Sequence, residues 1–179
     1  TIVLDRDGVI NQDSSTYIKS AEEWIPISGS IDAIARLHQA NFRVIIASNQ
    51  SGLARGYFDE AALTRMHDKM NSLVEDSGGV ISAIFYCPHS PDEGCSCRKP
   101  KTGLLERAEV EFDISLAGDY FVGDSLKDLQ AATSFNMKPI LVRTGKGRQT
   151  EISLSKEIRD QTRIFNDLES AVTWILNKQ

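Results

Sequence analysis

The sequence has 179 residues, 41% hydrophobic and 25% charged, which suits one ordinary globular domain spanning residues 1–179 with a sizeable core. Its formal net charge of −5 disfavours a general nucleic-acid binder, which would carry a basic excess. Apolar runs are short, Val44-Ile45-Ile46-Ala47 among them, so no segment reads as a membrane span. No secretory signal pattern opens the chain. A cytoplasmic protein, a monomer without nucleic-acid or membrane partners, is therefore expected.

The first predicted strand, Thr1 to Leu4, is continuously apolar and so reads as buried on both faces. It stops at Asp5-Arg6-Asp7-Gly8, where two carboxylates one residue apart meet a turn-permitting glycine. A polar stretch follows from Asn11 to Lys19, and then Trp24 to Ile27, where Pro26 argues against helix. Ser28 to Ser30 supply start signals for a helix from Ile31 to Gln39. Strand two, Phe42 to Ala47, runs into the turn-prone string Ser48-Asn49-Gln50-Ser51-Gly52. Asp59 caps a long helix reaching about Glu75, with an apolar stripe of Leu63, Met66, Met70, Leu73 and Val74.

Strand three covers about Ile81 to Tyr86 and leads into a window holding all three cysteines, followed by Arg98-Lys99-Pro100. A helix from Thr102 to Phe112 comes next, then strand four, Tyr120 to Val122, ending in Gly123-Asp124-Ser125. A helix from Leu126 to Phe135, strand five from Pro139 to Val142, and a loop through Arg143-Thr144-Gly145-Lys146-Gly147 complete the alternation. Thr162 to Phe165 reads as a last strand, and Asn166 as the cap of a terminal helix from Asp167 to Asn177. Strands without period-two polarity alternating with helices predict an α/β fold: a Rossmann-like parallel sheet with helices on both faces.

Three polar clusters, Asp5/Asp7, Ser48/Asn49 and Asp124, fall at strand ends, and in open α/β sheets sites lie outside the carboxyl ends of the strands. Gathered there, Asp5, Asp7 and Asp124 select a hard cation, Mg²⁺. A phosphate monoester matches such a site, with Ser48 as a hydroxyl donor and Lys99 as a fixed positive charge. One aspartate can attack phosphorus while the other transfers the proton.

These motifs, DRDGV at 5–9, the strand-two serine, a lysine before a helix, and GDSLKD at 123–128, resemble motifs I to IV of the haloacid dehalogenase (HAD) superfamily of phosphatases. The resemblance implies Asp5 as nucleophile, Asp7 as general acid/base, and Ser48 and Lys99 as phosphate donors. It implies Mg²⁺ on Asp5, the Asp7 carbonyl and Asp124. Asp128 reads either as a metal support acting through water or as an exposed first-turn carboxylate favoured by the helix dipole.

Cys87-Pro88-His89 and Cys95-Ser96-Cys97 offer three thiolates and an imidazole, a full tetrahedral set for structural Zn²⁺. Such a zinc-binding loop, at about 87–97, would hold Arg98 and Lys99 rigidly beside the site. DRDGVIN, SNQSGLARG, YCPH, CSCRKP, VGDS and LVRTGKG together are similar to the heptose-bisphosphate phosphatase family, a capless branch of the superfamily. That resemblance implies removal of the C7 phosphate of D-glycero-D-manno-heptose 1,7-bisphosphate during assembly of surface-glycan precursors such as lipopolysaccharide heptose. Its substrate contacts map onto Asp13, Ser14, Ser15, Thr16, Tyr17, Asn49, Gln50, Ser51, Arg98 and Ser125. Histidinol-phosphate phosphatase shares the zinc loop and is the close alternative. A receiver-like phospho-switch module is an alternative of another class, since it also uses strand-end aspartates and a Lys-Pro. The TGKG stretch is not a P-loop, and Arg143 and Lys146 read equally as solvated residues or as contacts to a distal phosphate. His38 and His67 read as surface or helix-packing residues.

Overall fold

The structure, a computed structural model, describes residues 1–178. Its strands are β1 (Ile2–Leu4), β2 (Val44–Asn49), β3 (Ala83–Cys87), β4 (Tyr120–Gly123), β5 (Lys138–Val142) and β6 (Arg163–Phe165). They form one six-stranded sheet in the order β3-β2-β1-β4-β5-β6, with every pairing parallel. Helices α1 (Ser30–Gln39), α2 (Glu60–Asp76), α3 (Gly103–Phe112), α4 (Leu126–Ser134), α5 (Gly147–Ser153), α6 (Lys156–Gln161) and α7 (Leu168–Leu176) connect and cover it.

The central β1 pairs Val3 with Ile45 of β2 on one side and with Phe121 of β4 on the other. Side chains alternate across the sheet. Ile2 and Leu4 therefore enter a core shared with α1, α2 and α7, while Val3 enters a second core with α3 and α4. Coverage of both faces is why the strands lack polar alternation. Each fully buried Ile or Leu contributes about 1.5–3 kcal/mol.

Local chemistry sets the helix ends. The Asp59 carboxylate accepts the Ala62 N–H at 2.7 Å, and the stripe Leu63, Met66, Met70 and Val74 is buried as expected. Asp167, rather than Asn166, caps α7 by accepting the Ser170 N–H at 2.8 Å. Ser30 does not cap α1; its hydroxyl donates to the Ile10 carbonyl at 2.6 Å.

Two other differences from the sequence reading matter. β2 continues through Ser48 and Asn49, which pair with Tyr86 and Cys87 of β3. The ladder uses backbone groups, so a switch to polar side chains does not end it. The loop after β5 leads into the short helices α5 and α6, and α6 buries no residue, so it carries no apolar stripe to reveal it.

The strand order reverses across β1 and β4, and a crevice opens at the carboxyl end of such a switch point. Asp5 leaves β1 there and Asp124 leaves β4 beside it.

Candidate active site

A cleft of about 480 Å³ opens at this edge, within the range of small-molecule sites. Asp5, Asp7, Ser48, Lys99, Asp124 and Asp128 all line it. Asp5 is held to the sheet by its own N–H, which donates to Val122 O at 2.9 Å. Its Oδ1 accepts the Arg6 N–H at 2.7 Å and pairs with Lys99 Nζ at 2.9 Å. Lys99 Nζ also meets Asp128 Oδ1 at 2.6 Å and donates to the Ala47 carbonyl at 2.7 Å. The Ala47 carbonyl takes one N–H of the ammonium, and the two carboxylates meet it as ion-pair partners.

Asp5, Asp124 and Asp128 are buried and present carboxylate oxygens within 4.8 Å of one another. Burial pushes Asp5 up to about 7; Lys99 opposes the rise and Asp128 adds to it. Burial, with Asp5 and Asp128 beside it, pushes Asp124 up to about 8. Burial works against the Lys99 ammonium, but Asp128 and Asp5 outweigh it and raise its pKa. One buried cation among three buried carboxylates leaves an excess of negative charge. An all-oxygen donor set with that excess fits a hard divalent cation.

Asp128 is not an exposed first-turn carboxylate. It is 1% exposed, and its Oδ2 accepts the Ser125 N–H at 3.0 Å and the Ser125 hydroxyl at 2.6 Å. One side chain thus caps α4 and reaches the aspartate cluster.

Asp7 faces the cleft with 22% of its side chain exposed. Its Oδ1 accepts from Arg6 Nε at 3.1 Å, Arg6 Nη2 at 2.9 Å and Asn11 Nδ2 at 2.9 Å. Its Oδ2 accepts from Arg6 Nη2 at 3.0 Å and Gln50 Nε2 at 2.8 Å. Burial alone would raise its pKa, but Arg6, Asn11 and Gln50 hold it below the usual carboxylate range. Gln50 also donates to Ser48 Oγ at 2.8 Å.

Beside the cleft, Cys87, His89, Cys95 and Cys97 gather their ligand atoms. Cys95 Sγ lies 3.6 Å from Cys87 Sγ and 3.5 Å from Cys97 Sγ. His89 Nδ1 lies 3.6 Å from Cys87 Sγ and 3.3 Å from Cys97 Sγ. A tetrahedral zinc would set about 3.8 Å between sulfurs and about 3.6 Å between sulfur and nitrogen. The cluster therefore has both the donor set and the size of a closed metal site, and the cysteines form no disulfide. The chain next to it is pinned: Lys101 Nζ donates to the Gly94 and Cys95 carbonyls at 2.8 and 2.6 Å, and Arg98 Nη1 to the His89 carbonyl at 3.2 Å.

The other residues singled out in the sequence divide by what they touch. Asp13, Ser14, Ser15, Tyr17, Gln50, Ser51, Arg98 and Ser125 line the cleft. Thr16 does not; its hydroxyl turns to Ser14 Oγ at 3.1 Å. Asn49 reaches the cleft, yet its amide spans the backbone of Lys99, accepting the Lys99 N–H at 3.0 Å and donating to the Lys99 carbonyl at 3.2 Å. Asp13 is ion-paired with Lys146 at 2.8 Å.

Arg6, Phe58, Lys127 and Lys146 line the cleft as well. Arg6 carries no site signal in the sequence, because the residue between two strand-end aspartates is expected to point away from them. The turn after β1 instead folds it back onto Asp7. Lys127 looks like any solvated helix lysine in sequence; among the described residues it makes no ion pair within 4.0 Å. His67 is neither surface nor simple packing. It stands 3.5 Å from Arg6 Nη1, with its ring 5.9 Å from that of Tyr86.

Comparison with known proteins agrees with this geometry. A family profile described as HAD-hyrolase-like matches residues 96–171. A D-glycero-beta-D-manno-heptose-1,7-bisphosphate 7-phosphatase of Pseudomonas aeruginosa is 51% identical over 98% of this chain and 97% of its own. The Bordetella bronchiseptica enzyme of that name is 50% identical over 99% and 98%. A crystal structure of the D,D-heptose 1,7-bisphosphate phosphatase from B. bronchiseptica, complexed with magnesium and phosphate, superposes with a TM-score of 0.94 at 49% identity, covering 99% of this chain and 98% of that one. The Burkholderia thailandensis phosphatase gives 0.75 at 39% identity over 98% and 97%. The chain belongs to the D-glycero-beta-D-manno-heptose-1,7-bisphosphate 7-phosphatase family of HAD-like hydrolases.

Proposed function

We propose that the protein is a Mg²⁺-dependent phosphatase that removes the C7 phosphate of D-glycero-D-manno-heptose 1,7-bisphosphate, and that its substrate is the β anomer named for its relatives. The observation that carries this reading is the buried Asp5/Asp124/Asp128 cluster around Lys99 at the floor of the cleft, in a chain of that family. The product would feed synthesis of nucleotide-activated heptose for surface glycans, in the cytoplasm, with the protein acting as a monomer.

Asp5 is the nucleophile. One of its oxygens is held by the Arg6 N–H and Lys99, and the other attacks phosphorus. The bond to the C7 oxygen breaks, and that oxygen takes a proton from Asp7. Asp7 then deprotonates a water, which attacks the aspartyl-phosphate and releases phosphate with Asp5 restored. Arg6, Asn11 and Gln50 favour the ionised form of Asp7, which is the form competent for that second step. Protonating the leaving group requires its carboxylate to turn from Arg6 toward the ester. Ser48 keeps its hydroxyl proton for a phosphate oxygen while Gln50 occupies its lone pair. Lys99 acts through charge, its ammonium being ion-paired with Asp5 and Asp128 and donating to the Ala47 carbonyl. Mg²⁺ would be held by Asp5, the Asp7 carbonyl and Asp124, with Asp128 acting through water, and supplies positive charge that offsets the carboxylates and the substrate phosphate. Cys87, His89, Cys95 and Cys97 would hold structural Zn²⁺.

The distal phosphate needs a cation that is not already committed. Arg6, Lys99 and Lys146 are paired with carboxylates, which leaves Arg98 and Lys127 on the cleft wall. Phosphate release from both heptose bisphosphate anomers, histidinol phosphate and common sugar phosphates tests the assignment. Fastest release from the β bisphosphate is expected, and preference for histidinol phosphate would overturn it. Arg98→Ala is expected to weaken bisphosphate turnover far more than turnover of a small monophosphate; equal losses would remove Arg98 from that role. Multiple turnovers are expected, whereas a stable phospho-aspartate without turnover would favour the phospho-switch alternative.

A further inference from the structure

The loop after β5, Arg143-Thr144-Gly145-Lys146-Gly147, takes no part in the steps above, yet it is built into the aspartate cluster. The Thr144 hydroxyl donates to the Gly8 carbonyl at 2.6 Å, joining this loop to the turn that follows Asp7. The Lys146 N–H donates to Asp124 Oδ2 at 2.7 Å. The Thr150 hydroxyl donates to the Asp124 carbonyl at 2.9 Å, and the Gly147 N–H to the Thr144 carbonyl at 2.8 Å. On the far side of the same turn, the Gly8 N–H donates to the Asn11 carbonyl at 2.8 Å. The Gly8 N–H belongs to the peptide that carries the Asp7 carbonyl and the Gly8 carbonyl to the next one, so the two peptides that flank Gly8 Cα are each held by a hydrogen bond.

The packing is as close as the hydrogen bonding. Gly8 and Gly145 have φ of 82° and 54°, pack against each other and both lie against Asp124 Oδ2. A methyl group at either position would collide with Asp124 Oδ2, and one at Gly145 would also strike Gly8 Cα. One backbone donor and two glycine surfaces thus hold the Oδ2 end of Asp124.

We propose that Thr144 is a positioning residue for the Mg²⁺ site: by locking the post-β5 loop onto the Gly8 carbonyl, its hydroxyl fixes Asp124 and the Asp7 carbonyl relative to each other. The inference rests on the Mg²⁺ reading above. Groups that orient metal ligands change metal affinity by about 10–100-fold when removed. Thr144 touches neither substrate nor metal; it acts through the geometry of those that do.

Mg²⁺ titrated calorimetrically into metal-free protein tests this without reference to turnover. Thr144→Val keeps the shape and removes the hydroxyl, and Thr144→Ser keeps the hydroxyl. Thr144→Val is expected to bind Mg²⁺ about tenfold more weakly. Thr144→Ser is expected to match the parent protein, and the zinc content and Mg²⁺-free thermal midpoint of both variants to stay unchanged. Gly145→Ala leaves the hydroxyl in place but crowds Asp124, and it too is expected to bind Mg²⁺ more weakly. Unaltered Mg²⁺ affinity in Thr144→Val or Gly145→Ala overturns the proposal. So does an equal loss in Thr144→Ser, or a Thr144→Val protein that loses zinc and fold, which would make the hydroxyl a folding element. Failure of the parent protein to bind Mg²⁺ would overturn the underlying metal reading instead.

Discussion

At the scale of single residues, the site is a problem in distributing charge. Lys99 and Arg6 are each almost fully buried, and each is committed to a different aspartate. Burial and the nearby Asp128 outweigh Lys99 at Asp5, whereas Arg6, Asn11 and Gln50 outweigh burial at Asp7, so the two aspartates shift in opposite directions. His67 belongs to the same network. Burial, then the nearby Arg6 charge, lower its pKa to about 4, against an opposing pull from Asp7. Between about pH 6.5 and 4 the unfolded chain therefore binds a proton that the folded protein refuses, and stability falls as pH drops through that window. The loss at the bottom of the window is on the order of 3 kcal/mol. His67→Gln cannot titrate but can still accept from Arg6, so its urea-unfolding free energy is expected to fall less between pH 7 and 4.5. An identical fall in both proteins would show that His67 does not refuse the proton. None of this is legible in the sequence, because a histidine on a helix reveals its buried neighbour only once the turn after β1 has folded Arg6 inward.

At the scale of elements, the cysteine loop and the end of β2 act together. Asn49 ends β2 and clamps the backbone of Lys99, while the Cys/His cluster anchors the chain a few residues earlier. The sequence shows the ligands and their spacing, but it does not show that Asn49 also clamps the loop. That role depends on β2 running further than its apolar stretch. Protein purified without chelators is expected to carry one zinc per chain by elemental analysis. Stripping it is expected to lower the thermal midpoint and slow phosphate release, with zinc restoring both. Metal-free protein of unchanged stability would contradict the loop's role. The short helices after β5 were not legible because neither shows a sustained apolar stripe, and helix capping by Asp167 rather than Asn166 turned on side-chain geometry that neighbouring polar residues share.

At the scale of the whole molecule, the strand order explains why so much of the site is readable from one dimension. Apolar runs without alternation imply a covered parallel sheet, and a parallel sheet sends every strand end to one edge. Asp5, Ser48 and Asp124 converge for that reason alone. Residues supplied by loops, such as Arg6, Thr144 and Lys146, obey no such rule and emerge only from the folded chain. The proposed mechanism places one division of labour at the centre of that convergence: Asp5 would hold metal and attack, whereas Asp7 would transfer the proton and meet metal only through its backbone. Calorimetric Mg²⁺ binding and phosphate release, measured side by side on Asp5→Asn and Asp7→Asn, test it most directly. Asp7→Asn is expected to retain Mg²⁺ affinity and lose turnover, and Asp5→Asn to lose both; equal Mg²⁺ affinities in the two variants would contradict the assignment.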